Sequence, residues 1–119
     1  MSVIKINIEK GTKIGDLQKA FNSAFPFLKM EPAPEFARMG TYTRIADILT
    51  QSSIPFVLQI DGKSTIAELE TDLLNRLQIP FHVMRQSGSM WISTTFTKDW
   101  TLEHQNKEAE LFSNEQHHS

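Results

Sequence analysis

Two stretches of the chain share one layout, and that repetition constrains the fold more than any other feature. The first is IKINIEKGTKIGDLQKAFNSAFPFLKM, residues 4–30, and the second is VLQIDGKSTIAELETDLLNRLQIPFHVM, residues 57–84. Each opens on alternating apolar residues: Ile4, Ile6 and Ile8 in one, Phe56, Leu58 and Ile60 in the other. A period of two marks a strand with one buried face. A Gly-containing turn follows, then apolar anchors at helical spacing: Ile14, Leu17, Phe21 and Phe25 against Ile66, Leu69, Leu73 and Leu77. Spacings of three and four place each set on one helix face. Thr65 with Glu68 reads as a capping box, and Thr12 as an N-cap without the matching acid. Pro26 and Pro80 end the helical runs and lead into further strands.

βαβ followed by βαβ is the order of a ferredoxin-like fold, an α+β sandwich with both helices on one face of an antiparallel sheet. A β-grasp fold is the alternative, but it needs a hairpin before its first helix, and none precedes residue 13. After the second unit, FHVMRQSGSMWISTTF reads as a hairpin that adds a C-terminal edge strand and extends the sheet to five. With Ser87-Gly88 as its loop, Arg85 pairs with Met90, Met84 with Trp91, Val83 with Ile92 and His82 with Ser93. Between the units, residues 31–53 are an irregular insert. Pro and Gly argue against strand or helix over 31–40, and a short helix with Ile45, Ile48 and Leu49 on one side is expected over 43–50. TKDWTLEHQN reads as Thr97 or Asp99 capping a helical turn. The domain is expected to span 1–112, with fraying from about residue 107 and a flexible tail over 113–119.

Composition removes several classes of function. The chain has no cysteine, so disulfides, thiol catalysis and thiolate-bound zinc are out. A net charge of −2, with Lys and Arg scattered singly, lacks the basic stripe that phosphate backbones require, so no nucleic-acid partner is expected. Trp91 offers one aromatic for base stacking but has no basic surround. No apolar run is long enough to span a membrane, and MSVIKINIEKG has neither the apolar core nor the cleavage site of a secretory signal. A cytoplasmic location is the expectation.

Candidate chemistry is thin. His82 is a candidate general base, histidine being the side-chain type suited to that role, and shares an expected sheet face with Gln59 and Ser93, but no Ser–His–Asp or Cys–His set can be assembled around it. No catalytic residue is assigned, and an enzyme is the less favoured reading. His104, His117 and His118 invite a metal reading, but ligands must be held on ordered backbone and two of the three lie in the last three residues, so neither metal nor cofactor is expected. Asp99, Glu103 and Glu108 suit helix-start acids better than a paired-carboxylate site. Lys5, Lys29 and Arg85 could hold an anion, though lysines on strands more often guard edges. GTKIGD matches no phosphate-cradling pattern.

Arg85, Ser87, Gly88 and Trp91, followed by Thr97, Trp100, Thr101, Leu102, Gln105 and Asn106, form R-x-S-G-x-x-W and T-x-x-W-T-L-x-x-Q-N. These motifs resemble the end of a group of small uncharacterised bacterial proteins. The resemblance carries no known activity and implies that this stretch is one structural unit.

Two functional expectations follow. The first is a non-enzymatic interaction module using the sheet face opposite the helices, where Lys5, Asn7, Val57, Gln59, His82, Met84, Trp91 and Ser93 fall. An apolar spot of Met84 beside Trp91 on an otherwise polar face points to a protein partner, a second copy or the chain's own tail. The second is a small-ligand (anion or metabolite) binding protein or minor enzyme, with His82, Arg85 and Tyr42 lining a pocket between the sheet and residues 31–53. Trp100 or Leu102 is expected to fold back against the sheet edge near Met84 and Trp91.

Overall fold

The computed structural model describes residues 3–36, 38, 40–49 and 54–117, without the side chains of 114–117. Strand β1 (Val3–Ile8), helix α1 (Ile14–Ala24) and strand β2 (Leu28–Pro32) form the first unit. Strand β3 (Phe56–Asp61), helix α2 (Ile66–Leu77) and strand β4 (Phe81–Ser87) form the second, and strand β5 (Met90–Ser93) and helix α3 (Leu102–His117) follow. The architecture is α+β, three helices on two antiparallel sheets, compatible with a small ferredoxin-like fold. Among the described residues a single strand, β1, precedes α1, without the hairpin that a β-grasp fold needs.

The five strands do not join into one sheet. β1 pairs with β3, and β2 pairs with β4, which carries β5 on its other side. Ile4, Ile6 and Ile8 of β1 face Ile60, Leu58 and Phe56 of β3. Leu28 and Met30 of β2 and Phe81 and Val83 of β4 belong to the same apolar core, so the two sheets enclose it together. All eight helix anchors expected from the periodicity are buried there.

The repeat of the two units extends to their backbone hydrogen bonds. At the start of α1, Ile14 and Gly15 donate to the carbonyls of Thr43 and Thr41 (both 2.9 Å), and Ile45 donates to Thr12 (2.9 Å). At the start of α2, Ile66 and Ala67 donate to Trp100 and Lys98, and Leu102 donates to Ser64 (all 3.0 Å). Lys13↔Arg44 and Thr65↔Thr101 are the matching bridges. Each helix thus has two orphan N-terminal amides satisfied by a passing strand-like segment. Gly15 is required for this in α1, because a Cβ there would lie 2.9 Å from the Thr41 carbonyl oxygen.

One local expectation holds and several are corrected. Thr65 and Glu68 form the capping box, with bonds of 3.1 and 2.8 Å. In α1 the cap lies one residue later: Asp16 accepts from the amide of Lys13 (2.9 Å), while Thr12 binds the turn before it. Residues 31–40 are not wholly irregular, since β2 runs through Glu31 and Pro32 and a 3-10 turn covers Pro34–Phe36. Proline is tolerated there because its nitrogen faces away from β4; the next amide, Ala33, is the one that reaches Pro80 (2.9 Å). Ile45–Asp47 is a 3-10 turn, with Ile45 buried and Ile48 and Leu49 packed on the core.

The hairpin turns one residue later than expected. Ser87 pairs with Met90 and Gln86 with Trp91, which makes Gly88-Ser89 the loop. Gly88 takes φ 63° at the first loop position, where a type II′ turn needs its single positive φ. Ser87-Gly88 would have put serine there. The pairing slips by two residues, so every side chain keeps its face.

The largest difference is at the C-terminus. The expected helical turn is a 16-residue helix, and the stretch expected to fray continues helical to His117. Thr101, rather than Thr97 or Asp99, caps it, accepting from His104 (3.1 Å). Leu102, Gln105, Ala109 and Ser113 form its buried face. Residues 118 and 119, the end of the expected tail, lie outside the described residues.

Candidate functional site

The alternation of β4 sorts the candidate residues onto two faces. Phe81 and Val83 point into the core, and Arg85 follows them on that side. His82, Met84 and Gln86 point outward, as do Lys29 and Glu31 of β2 and Trp91 and Ser93 of β5. His82, Met84 and Trp91 therefore share the open face, whereas Arg85 and Trp100 lie behind it. Gln59, expected beside His82, belongs to the β1–β3 sheet; the residue facing His82 is Glu31.

On the open face, Trp91 is half-buried and crosses β4 toward β2. The Lys29 Nζ sits 4.8 Å from its ring centroid and 3.0 Å from Glu31 Oε1. An ammonium over an indole is worth about 0.5–1 kcal/mol at an exposed site, enough to favour one ring orientation. Met84 lies between, paired with Lys29 on one side and Ser93 on the other. The result is an oriented indole with an apolar neighbour and one cation, rimmed by His82, Glu31 and Gln86.

Beside it opens a shallow cleft of about 380 Å³, walled by Gln18, Lys19 and Asn22 of α1, Lys29 to Glu31 of β2, Thr41 and Trp91. Gln18 and Asn22 donate to the carbonyls of Met30 and Leu28 (3.0 and 2.8 Å), which seals the outer edge of β2. The expected pocket residues do not line this cleft. Arg85 is on the opposite face, His82 lies outside the lining, and Tyr42 stands exposed with its ring 5.7 Å from Lys13 Nζ.

Behind the sheet, the motif residues tie the hairpin to α3. Arg85 Nη1 donates to Gln105 Oε1 (3.0 Å), and Gln105 Nε2 donates to Thr97 Oγ1 (2.8 Å). Asn106 Oδ1 accepts from the amide of Phe27 (2.9 Å). Trp100 stacks on His104 at 4.4 Å with the Arg85 guanidinium 6.0 Å from its ring. The returning chain thus buries Leu102 on the core side rather than beside Trp91. The two tryptophans occupy opposite faces of one sheet.

Glu70 was not singled out by the sequence. Its carboxylate accepts from the amide of Val83 (2.9 Å) and pairs with Lys98 (3.0 Å). Thr94 Oγ1 donates to the Val83 carbonyl (2.7 Å), so both outer groups of that residue are satisfied. No sequence signal marks such side-chain plugs of a strand edge.

His104 Nε2 lies 3.5 Å from Glu108, and no group of three metal-ligating side chains is found among the described residues. His118 and the side chain of His117 lie outside what is described. Among the described residues no helix is long and apolar enough to cross a membrane. Comparison of the chain with protein-family models, with curated proteins and with solved structures finds no match.

Proposed function

We propose that this chain is a non-enzymatic interaction module that binds a protein through the open face of the β2–β4–β5 sheet, centred on Trp91. The observation that carries the reading is the Lys29–Trp91 contact at 4.8 Å beside Met84. Aromatic side chains held in place before binding lose little entropy on contact, and Trp is enriched among residues that dominate interface energies. The other motif residues serve internal contacts, which leaves Trp91 as the one turned to the open face. His82 and Glu31 at the rim add polar selectivity.

The test is capture from the native cell followed by cross-link mapping. A partner held by the wild type should be lost with Trp91→Ala and with Met84→Asp, and kept with Trp100→Phe. Retention by Trp91→Ala would move the binding surface elsewhere. The cleft beside Trp91 favours a second reading, a small polar or anionic ligand held between Lys29, Asn22 and Thr41. A thermal-shift screen of metabolites separates the two, since a ligand in that cleft raises the melting temperature and loses its effect in Lys29→Ala.

A further inference from the structure

β5 is the last strand of its sheet, and its outer backbone edge is bare. The amide of Gln86 in β4 donates to the Phe27 carbonyl on the β2 side (2.9 Å), so Gln86 turns its backbone away from β5. Its facing residue, Trp91, is then in a non-hydrogen-bonded pair and turns its own N–H and C=O away from β4. Ser93, two residues on, does the same. Among the described residues, these outward backbone groups have no hydrogen-bond partner.

The corresponding edge of β2 is guarded. Gln18 and Asn22 cap its carbonyls, and Pro32 and Pro34 have no amide to offer. Natural sheets blunt exposed edges with such devices because a bare edge templates another strand. The edge of β5 has none of them. From Gln86 to Thr97 the chain holds no charged residue and no proline; the exposed Met90 opens the strand and the exposed Phe96 follows it.

We propose that β5 pairs antiparallel, across a two-fold axis, with β5 of a second copy. This rests on reading the sheet as an interaction surface and names the partner. The occupant follows from the chemistry of the edge: an uncharged strand meets its own copy without opposing like charges and offers no ion pair to a charged stranger. One symmetric register uses every bare group. With the axis at Ile92, the Trp91 N–H donates to the Ser93 carbonyl of the second copy, the Ser93 N–H donates to its Trp91 carbonyl, and the axis repeats both bonds. Ile92 then faces its own counterpart, as an isologous contact requires. The strand order becomes β2-β4-β5-β5-β4-β2, with both Trp91 faces on the same side.

Sedimentation velocity over a concentration series tests this, with amide exchange followed by NMR on the same samples. The wild type should dimerise with rising concentration, and the Trp91 and Ser93 amides should exchange more slowly as it does. Ile92→Glu and Ile92→Lys each oppose like charges at the axis and should lose the dimer. Mixing the two variants should restore it, with circular dichroism reporting that both are folded. A wild type that stays monomeric throughout, or variants that dimerise as well as it does, overturns the proposal. If the variants do not fold, exchange in the wild type decides: rates at Trp91 and Ser93 that ignore concentration overturn it, and rates that fall support it. A monomer that still captures a partner through Trp91 would sink strand pairing and leave the open-face reading intact. A β5 dimer with no Trp91-dependent capture would do the reverse.

Discussion

Arg85 and Gln105, twenty residues apart in sequence, meet through a 3.0 Å hydrogen bond between a strand and the helix that returns behind it. Gln105 is fully buried and also holds Thr97, so one amide side chain joins β4, the loop and α3. Replacing it strands two partners at once. Gln105→Ala should cost about 1–3 kcal/mol, since it empties a buried site and leaves the part-buried Arg85 and Thr97 without this partner. Urea unfolding of both single variants and of Arg85→Ala/Gln105→Ala closes a double-mutant cycle, and the coupling should exceed about 0.5 kcal/mol. Additive effects would mean that the pair is not joined.

Gly15 and Gly11 should respond differently to alanine. Alanine raises helix propensity by about 1 kcal/mol over glycine in a helix interior. At Gly15 the new Cβ meets the Thr41 carbonyl oxygen at 2.9 Å and the Thr41 Cβ at 3.0 Å, and the carbonyl is already held by the Gly15 amide. Gly15→Ala should therefore lower the melting temperature despite the propensity gain. At Gly11 nothing lies within 4 Å, and Gly11→Ala should leave it unchanged or slightly raised.

Leu102 opens α3 and has no exposed surface. Leu102→Ala should cost about 2–5 kcal/mol, as for other buried leucines, and should undock the helix. Native-state amide exchange should then speed up along α3 and at Phe27, whose amide is held by Asn106. Unchanged exchange at Phe27 would show that docking does not depend on this anchor.

Lys29 covers one face of the Trp91 ring. In a Trp100→Phe background, Lys29→Ala should raise acrylamide quenching of the remaining tryptophan and shift its emission to the red. The same change in a Trp91→Phe background should leave Trp100 fluorescence unaltered, because the two rings lie on opposite faces of the sheet.

Glu70 occupies the edge of β4 where β5 no longer reaches. Glu70→Gln keeps an acceptor for Val83 and loses the Lys98 pair, whereas Glu70→Ala loses both. The alanine variant should be the less stable in chemical denaturation, by about 1 kcal/mol or more. Equal stability of the two would assign the whole effect to the ion pair.

The two βαβ units, their eight helix anchors, the inward isoleucines of β1 and the capping box at Thr65 were all legible before any tertiary structure. These are local properties: periodicity and cap chemistry act within a few residues and need no knowledge of what packs above them. The outward face of Trp91 was legible for the same reason, since a slip of two residues leaves the alternation intact. The length of α3 was not legible, because Gln105 and Ser113 occupy buried positions of a stripe where apolar residues would be expected. Gln105 is held there by Arg85 and Thr97, partners that its local sequence does not reveal. The pairing of β2 with β4 came from closure of the shared core, a long-range choice that no local signal specifies. The same closure placed β5 on β4 rather than on β2, whose outer carbonyls are taken by Gln18 and Asn22 of α1.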